Sequence, residues 1–257
     1  HWKGHRFLLI CEQYSKMIGC VLMEPNVDTV RSNVKRWLLE MGCLGNSGVL
    51  SLFTDDEVAV GSVFYHLGVG KDVRVTRASP QSQEMNGRAE RSVRMVKENV
   101  LCVSEELKSQ GLEPCWDEEK AVVSVFEYVC FMLNSHACVY GSSKTPQEFL
   151  VGKATSPVTT SAFGAVVLCE LPNAVQSESL PRFLEGAYLR PEFNSKSCVC
   201  RVLIDGVVRE IRPKSIKLVL PLRWEFALLD GLVQKVPLGG DEGAFEELKD
   251  SGDAAKG

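Results

Sequence analysis

The sequence predicts an α/β fold, and three observations lead to that class. Short apolar runs of strand length alternate with longer stretches in which apolar residues recur at helical spacing. This alternation fills the first 140 residues. Even the most apolar segment, residues 121–133, is interrupted by Glu127, and no run reaches transmembrane length. Strands alternating with helices in this way are typical of a mixed sheet that is covered by helices.

Eight elements are predicted in this first part of the chain. They are strands at 6–12 and 17–23, a helix at 27–41, a strand at 49–53, a helix at 57–67, a strand at 72–77, and helices at 89–107 and 116–134. The helix at 89–107 has a clear apolar stripe, which consists of Ala89, Val93, Val96, Val100, Val103 and Leu107. The last helix is apolar nearly all round, which predicts that it is buried.

The composition changes near residue 150. Five strand-like runs follow, at 165–171, 186–189, 197–204, 207–211 and 215–220. The pair Asp205-Gly206 between two of these runs is a strong hairpin signal. We therefore expect three parts: an α/β domain at 1–153, a small all-β domain at 154–222, and a linker with a disordered acidic tail at 223–257.

Charge is distributed unevenly along the chain. The formal net charge is -4, and the last twenty residues alone contribute six acids and two lysines. Residues 71–97 contain seven basic residues and three acids, a local excess of positive charge. A basic segment on a nearly neutral body indicates a polyanionic partner, although an ordinary solvated helix face would give the same pattern.

The ten cysteines are scattered, and they form neither a C-x-x-C motif nor a Cys/His cluster. This pattern predicts reduced thiols in an intracellular protein and no zinc site.

Two carboxylates are placed where an active site could form. Asp55 follows the strand at 49–53, at the strand end where α/β proteins place their sites. Glu90 begins the helix after the next strand, and converging carboxylates of this kind can hold a pair of Mg²⁺ ions for phosphodiester chemistry. Arg94 and Lys97 follow Glu90 on one helical stripe and could bind phosphates. The alternative is that Asp55 caps a helix and that Glu90 forms an ordinary salt bridge with Arg94.

Several segments together carry a resemblance to a known family. The first two are FTDDEVAVGSVF at 53–64 and SPQSQEMNGRAERSVRMVKENV at 79–100. Their order and spacing resemble the catalytic core of retroviral and retrotransposon integrases, which has an RNase H-like fold. The opening segment WKGHRFLLICEQYSKMIGCVLM is similar to the first hairpin of that core. The segments WDEEKAVVSVFEYVCFMLNSHA and KTPQEFLVGK resemble the copia-type retroelement pattern, and the resemblance covers about residues 1–220.

The resemblance implies specific roles for the residues in these motifs. Asp55 and Glu90 would be the second and third metal-binding acids, with two Mg²⁺ (or Mn²⁺) ions as cofactor. DNA contacts would come from Arg88, Arg91, Arg94 and Lys97. The segment containing Gln83, Asn86 and Gly87 would be a mobile loop ahead of the helix. The first metal-binding acid of the family would precede His1, and we expect an Asp, or else a Glu, about two to five residues upstream. The small β domain would be SH3-like.

The chain departs from the family pattern after Asp55, where Asp56-Glu57 replaces the usual Asn-Gly. The resemblance nevertheless implies DNA integration by a retroelement integrase, with 3′-end processing and strand transfer. Its expected partners are the DNA element ends, a target duplex and further copies of the chain, without a membrane or a small-molecule cofactor. A nuclear location is expected. The alternatives are a decayed or domesticated nucleic-acid-binding module without catalysis and, third, an RNase H-like nuclease.

Overall fold

The structure is a computed structural model that describes residues 2–40, 50–54, 63, 73–77, 83–139, 141–152, 161–175, 180–192 and 197–237. Its helices are α1 (Val27–Glu40), α2 (Gln83–Ser109), α3 (Glu119–His136), α4 (Pro146–Val151) and α5 (Phe226–Leu229). The first five strands are β1 (Phe7–Cys11), β2 (Ile18–Leu22), β3 (Leu50–Thr54), β4 (Val73–Arg77) and β5 (Leu112–Pro114). The later strands are β6 (Val166–Glu170), β7 (Phe183–Pro191), β8 (Cys198–Ile204), β9 (Val207–Ile211), β10 (Ile216–Leu218) and β11 (Val233–Lys235).

The predicted hairpin at the start of the chain is confirmed. β1 and β2 are antiparallel, with Phe7 opposite Leu22. A second, tighter turn precedes β1, because the backbone N–H and C=O groups of Trp2 and His5 bond each other at 2.8 Å. The two residues between them, Lys3 and Gly4, both have positive φ angles, 44° and 86°. Positive φ at both central positions is the geometry of a two-residue hairpin turn.

Helices cover both faces of this hairpin. On one face, α1 packs on β2, and the indole of Trp37 lies so close to Gly19 that an added Cβ would meet it at 2.2 Å. On the other side, α3 packs on β2, and the amide of buried Asn134 bonds the backbone N–H and C=O of Ile18 at the edge of β2 that faces away from β1, each at 2.8 Å. Because successive residues of a strand point to opposite faces, Gly19 meets α1 while Ile18 meets α3. The first part of the chain is therefore a layered α/β structure.

The other two strands of this part, β3 and β4, form a parallel pair in which Leu50 lies opposite Val73 and Thr54 opposite Arg77. The first four strands thus contain one antiparallel and one parallel pair, and no described pairing joins the two. The predicted helix at 57–67 lies outside the described residues apart from Val63, which is helical and buried.

Five later strands form one antiparallel sheet in the order β10-β6-β7-β8-β9. The Asp205-Gly206 hairpin is confirmed: both residues have positive φ, and Ile204 pairs with Val207 across the turn. β7 is longer than predicted, beginning at Phe183. The close approach of β6 and β8 side chains explains Gly186, where an added Cβ would lie 2.8 Å from both Cys169 Sγ and Val202 Cγ2.

The sequence assigns residues 223–257 to a linker and tail, and for 223–237 the linker prediction is wrong. Trp224 bridges to Ala165, α5 buries Leu228 and Leu229, and β11 pairs with β5 at the end of α2. These short elements lack a clear apolar period, which is why the sequence pattern misses them. The predicted disordered tail, 238–257, lies outside the described residues.

The α/β part and the five-stranded sheet share one hydrophobic core, in which α3 lies between them. Tyr128 of α3 packs edge-on against Phe163 and donates a hydrogen bond to the Ser161 carbonyl at 3.2 Å. Glu127 of the same helix forms a 2.6 Å ion pair with Arg190 of β7. One continuous cluster of buried residues extends from Ile18 in β2 to Val233 in β11. None of the helices among the described residues is both long and apolar enough to cross a membrane.

Candidate functional site

Of the two candidate carboxylates, Glu90 lies among the described residues and Asp55 does not. β3 ends at Thr54, directly before Asp55, and the parallel β4 ends beside it. The carboxyl ends of both strands therefore lie at one edge, where the sequence places the site. Asp55, Asp56 and Glu57 themselves lie outside the described residues. The expected separation of about 4–8 Å between the carboxyl groups of Asp55 and Glu90 stays a prediction.

Glu90 lies on α2, which begins earlier than expected. The sequence predicts a loop through Gln83, Asn86 and Gly87, but all three residues are helical, and this prediction is wrong. Glu90 is accordingly in the third turn rather than the first. An Asn-Gly turn of the hairpin type requires a left-handed glycine, whereas Gly87 is absent from the positive-φ residues of the described chain.

The buried face of α2 determines which way Glu90 points. Its fully buried apolar residues are Val96, Val100, Val103 and Leu107, as predicted, but Ala89 and Val93 are exposed. Ser92 takes their place against the core, where its hydroxyl lies 3.6 Å from Cys11 Sγ at the end of β1. The helix turn that carries Glu90 therefore lies beside the carboxyl end of β1.

Glu90, Arg94 and Lys97 lie along the outer side of α2, and we call these three residues the α2 stripe. At about 100° per residue, they fall within an arc of about 60° beside the buried line of Val96 and Val100, and Lys97 is the member nearest to that line. Glu90 and Arg94 are exposed, and Lys97 is half-buried. Arg91 is exposed on a neighbouring line of the helix, whereas Arg88 is helical and its side chain is not described. Because all three residues of the stripe are helical, they share one side of α2.

No ion pair within 4.0 Å connects the members of the α2 stripe to one another or to any other described residue. The alternative in which Glu90 is neutralised by Arg94 as an i,i+4 salt bridge is not the arrangement in this structure. By contrast, Lys108 at the far end of the helix pairs with Glu105 at 2.9 Å. Within the described part of the chain, the charges of the stripe therefore have no ion-pair partner.

Carboxylate oxygens suit Mg²⁺, so Glu90 has the right chemistry for one ligand. Among the described residues, however, no three His, Cys, Asp or Glu side chains are grouped so that they could hold a metal ion. The cysteines do not change this, since those described are free thiols without a metal-binding arrangement. A metal site at Glu90 would need Asp55 and a further acid.

Two polar residues, Glu12 after β1 and Asn134 in α3, have structural roles. Glu12 closes the β1–β2 turn by accepting hydrogen bonds from Tyr14 N at 2.9 Å and from the Ser15 hydroxyl at 2.6 Å. Partial burial opposes ionisation of Glu12, but these bonds and one from Ser15 N hold its pKa below the ordinary value. Asn134 is the conspicuous polar residue in the apolar helix α3, and its bonds to Ile18 lock that helix onto β2.

Comparison with known proteins gives structural similarity only. No protein-family model and no curated protein matches the chain. A cryo-EM structure of a simian T-cell lymphotropic virus intasome in complex with PP2A regulatory subunit B56 gamma is similar with a TM-score of 0.43 and 13% identity, over 84% of this chain and 73% of that one. The catalytic core domain of BIV integrase is similar with a TM-score of 0.41 and 18% identity, over 59% of this chain and 89% of that one.

Proposed function

We propose that this chain is the core of a retroelement DNA integrase, which binds DNA along α2 and cuts and joins phosphodiesters at Asp55 and Glu90. The observation that carries the proposal is the α2 stripe: an exposed carboxylate that pairs with no described cation, followed on the same line by two basic residues. The order of motifs supports it, because Asp55 follows a strand of a parallel pair and Glu90 lies 35 residues later.

The stripe can engage a nucleic-acid backbone over a defined length. With a helical rise of 1.5 Å per residue, Arg94 lies about 6 Å and Lys97 about 10 Å along the axis from Glu90. These cations would contact successive phosphates and fix the position of the strand, without reading its sequence. Glu90 would then lie beside the phosphodiester that reacts.

Asp55 and Glu90 would hold divalent cations, together with the acid expected upstream of His1. Such ions, when bound, activate the attacking oxygen and stabilise the leaving one. The chain's own contribution is to place carboxylate oxygens at the strand end and on α2, and to keep α2 rigid through its buried face. The expected DNA ends, target duplex, self-association and nuclear location belong to the same proposal.

A non-catalytic nucleic-acid-binding module is the second candidate, and the acidic pair Asp56-Glu57 favours it. Two further negative charges directly after Asp55 raise the repulsion at a site that must also accept DNA phosphates. The two candidates share the DNA-binding stripe and differ in catalysis, so two separate experiments are needed.

The DNA-binding experiment replaces Arg94 and Lys97 by Ala together and measures affinity for duplex DNA by fluorescence anisotropy at several salt concentrations. We expect weaker binding to all sequences alike and a slope of log affinity against log salt that is flatter by about one unit per lost contact. The matched control replaces Lys35 and Arg36, which are exposed on α1 on the opposite side of the hairpin. If the Arg94/Lys97 variant keeps the affinity and slope of the control, the stripe is only a solvated face.

The catalytic experiment compares Glu90→Gln and Asp55→Asn with the unaltered sequence, in the polypeptide that includes the residues upstream of His1. For the integrase, both substitutions abolish Mg²⁺-dependent cleavage and joining of DNA ends while duplex binding persists. Activity that survives Glu90→Gln would refute the assignment of Glu90. A chain that binds DNA but is inactive with Mg²⁺ and Mn²⁺ in every form would be the non-catalytic module.

A further inference from the structure

The outer side of α2 is asymmetric in charge along its length. Residues 88–97 contain four basic residues and one acid, whereas residues 98–109 contain three acids and one lysine. That lysine, Lys108, is already paired with Glu105 and lies 3.9 Å from Glu113. Among the described side chains, the basic residues of α2 that no carboxylate pairs with are therefore in its first half, at Arg91, Arg94 and Lys97.

Residues 235 and 236, just before the acidic segment 238–257, lie at the carboxyl end of α2. Lys235 of β11 pairs with Leu112, and the Val236 N–H donates a 2.9 Å hydrogen bond to the Gly111 carbonyl. Gly111 follows the last residue of α2 by two positions. Residues 238–257 are thus tethered at the acidic end of α2, which repels them because they contain six acids and two lysines.

We propose that the acidic segment 238–257 binds intramolecularly to Arg91, Arg94 and Lys97 on α2, and competes there with DNA. This inference rests on the proposed DNA-binding role of α2. It gives these cations, which pair with no described carboxylate, a partner of opposite charge from the same chain.

Segment 238–257 is long enough to reach from the carboxyl end of α2 to the cations in its first half. Lys97 lies about 18 Å and Arg91 about 27 Å along the helix from Ser109. A twenty-residue polypeptide can span up to about 66 Å, and the disordered chain predicted from this composition has a root-mean-square length of about 25 Å. Effective concentration is highest when the mean length equals the span, and it reaches the millimolar range for short tethers. Weak electrostatic contacts suffice for binding under these conditions.

The main test changes the charge of the segment in the full chain. The first variant replaces all six acids by their amides: D241N, E242Q, E246Q, E247Q, D250N and D253N. If the segment occupies the cations in about 80–90% of molecules, removing it makes duplex binding about five- to tenfold tighter at low salt. The second variant, K249Q with K256Q, makes the segment more acidic and is expected to weaken DNA binding. Both effects shrink as salt rises.

Adding R94A and K97A to the neutralised segment shows whether both ligands use the same cations. We expect the gain in affinity to disappear in this combination, whereas adding Lys35→Ala and Arg36→Ala leaves the gain intact. Equal gains with and without the stripe cations would overturn the inference, since the segment would then act elsewhere.

A second measurement does not depend on DNA. A carbodiimide joins an amine to a carboxylate in direct contact, and mass spectrometry then identifies the pair. We expect links from Lys97 to acids of segment 238–257, lost in high salt, and none from Lys35. If these links are absent, and neutralisation leaves DNA affinity unchanged while R94A with K97A lowers it, the inference is overturned and the DNA-binding role remains. If the links form but no variant binds DNA, the proposed function is overturned and the intramolecular contact remains.

Discussion

Asn134 illustrates how one polar residue can join two elements inside an apolar core. It is 4% exposed, and its side-chain amide satisfies both backbone groups of Ile18. Those groups face α3 rather than a neighbouring strand, so without the amide they would be buried and unpaired. The sequence shows an Asn in an otherwise apolar helix, but the identity of its partner depends on how α3 crosses β2.

We expect Asn134→Ala to lower the free energy of unfolding by about 2–4 kcal/mol, because two buried backbone groups lose their partners. Urea denaturation followed by circular dichroism measures this. The matched control is Asn99→Ala on α2, where the side chain donates a hydrogen bond to the Met95 carbonyl of its own helix. That control should stay within about 0.5 kcal/mol of the original. Equal stability of the two variants would contradict the locking role of Asn134.

At the level of elements, α2 shows both the strength and the limit of the sequence pattern. The apolar period identifies the helix and four of its buried residues, because core packing requires that spacing. The same pattern misplaces the first turns. Ser92 is buried through its contact with Cys11, a contact between distant segments that no local rule contains. Asn86-Gly87 has the composition of a turn, but the helix continues through it at a propensity cost of about 1 kcal/mol for glycine.

Gly87→Ala tests whether this segment is helical. Gly87 is exposed, its φ is not left-handed, and an added Cβ meets no atom within 4 Å. We therefore expect a gain of about 0.5–1 kcal/mol in the free energy of unfolding. The control is Gly152→Ala, at the end of α4, where φ is 76° and alanine should destabilise by about 1 kcal/mol. If Gly87→Ala destabilises as Gly152→Ala does, Gly87 forms the left-handed turn that the sequence pattern indicates.

At the level of the whole molecule, the three predicted parts contribute residues to one hydrophobic core. The strands of the second part were predictable from their apolar runs and from Asp205-Gly206, because hairpin signals are local. The packing of that sheet on α3 was not, since an apolar helix face does not identify what covers it. The segment 223–237 was missed for the same reason: its burial depends on β5 and Phe163, which are distant in sequence.

Leu229→Ala tests whether the molecule unfolds as one unit. Leu229 is fully buried on α5, in the segment that the sequence assigns to a linker, and its side chain lies close to Gly164. Removing three side-chain carbons leaves a cavity and is expected to cost about 2–4 kcal/mol. The matched control is Leu222→Ala, directly before this segment, where the side chain is 39% exposed and its loss should cost much less.

The elements in which amide protection falls show whether the molecule unfolds as one unit or as two. Because Leu229, Val166 and Val129 belong to one buried cluster, amide protection should fall by the same free energy in α3 and in β7. Hydrogen exchange read by mass spectrometry measures both elements in one sample. A loss confined to β6–β9, with α3 and β2 unchanged, would show that the β segment opens alone as an independent domain. Equal losses of amide protection in α3 and β7 would instead mean that α3 and the five-stranded sheet are stabilised together. A defect in residues 223–237 would then also destabilise the α/β part of the chain, which carries Glu90.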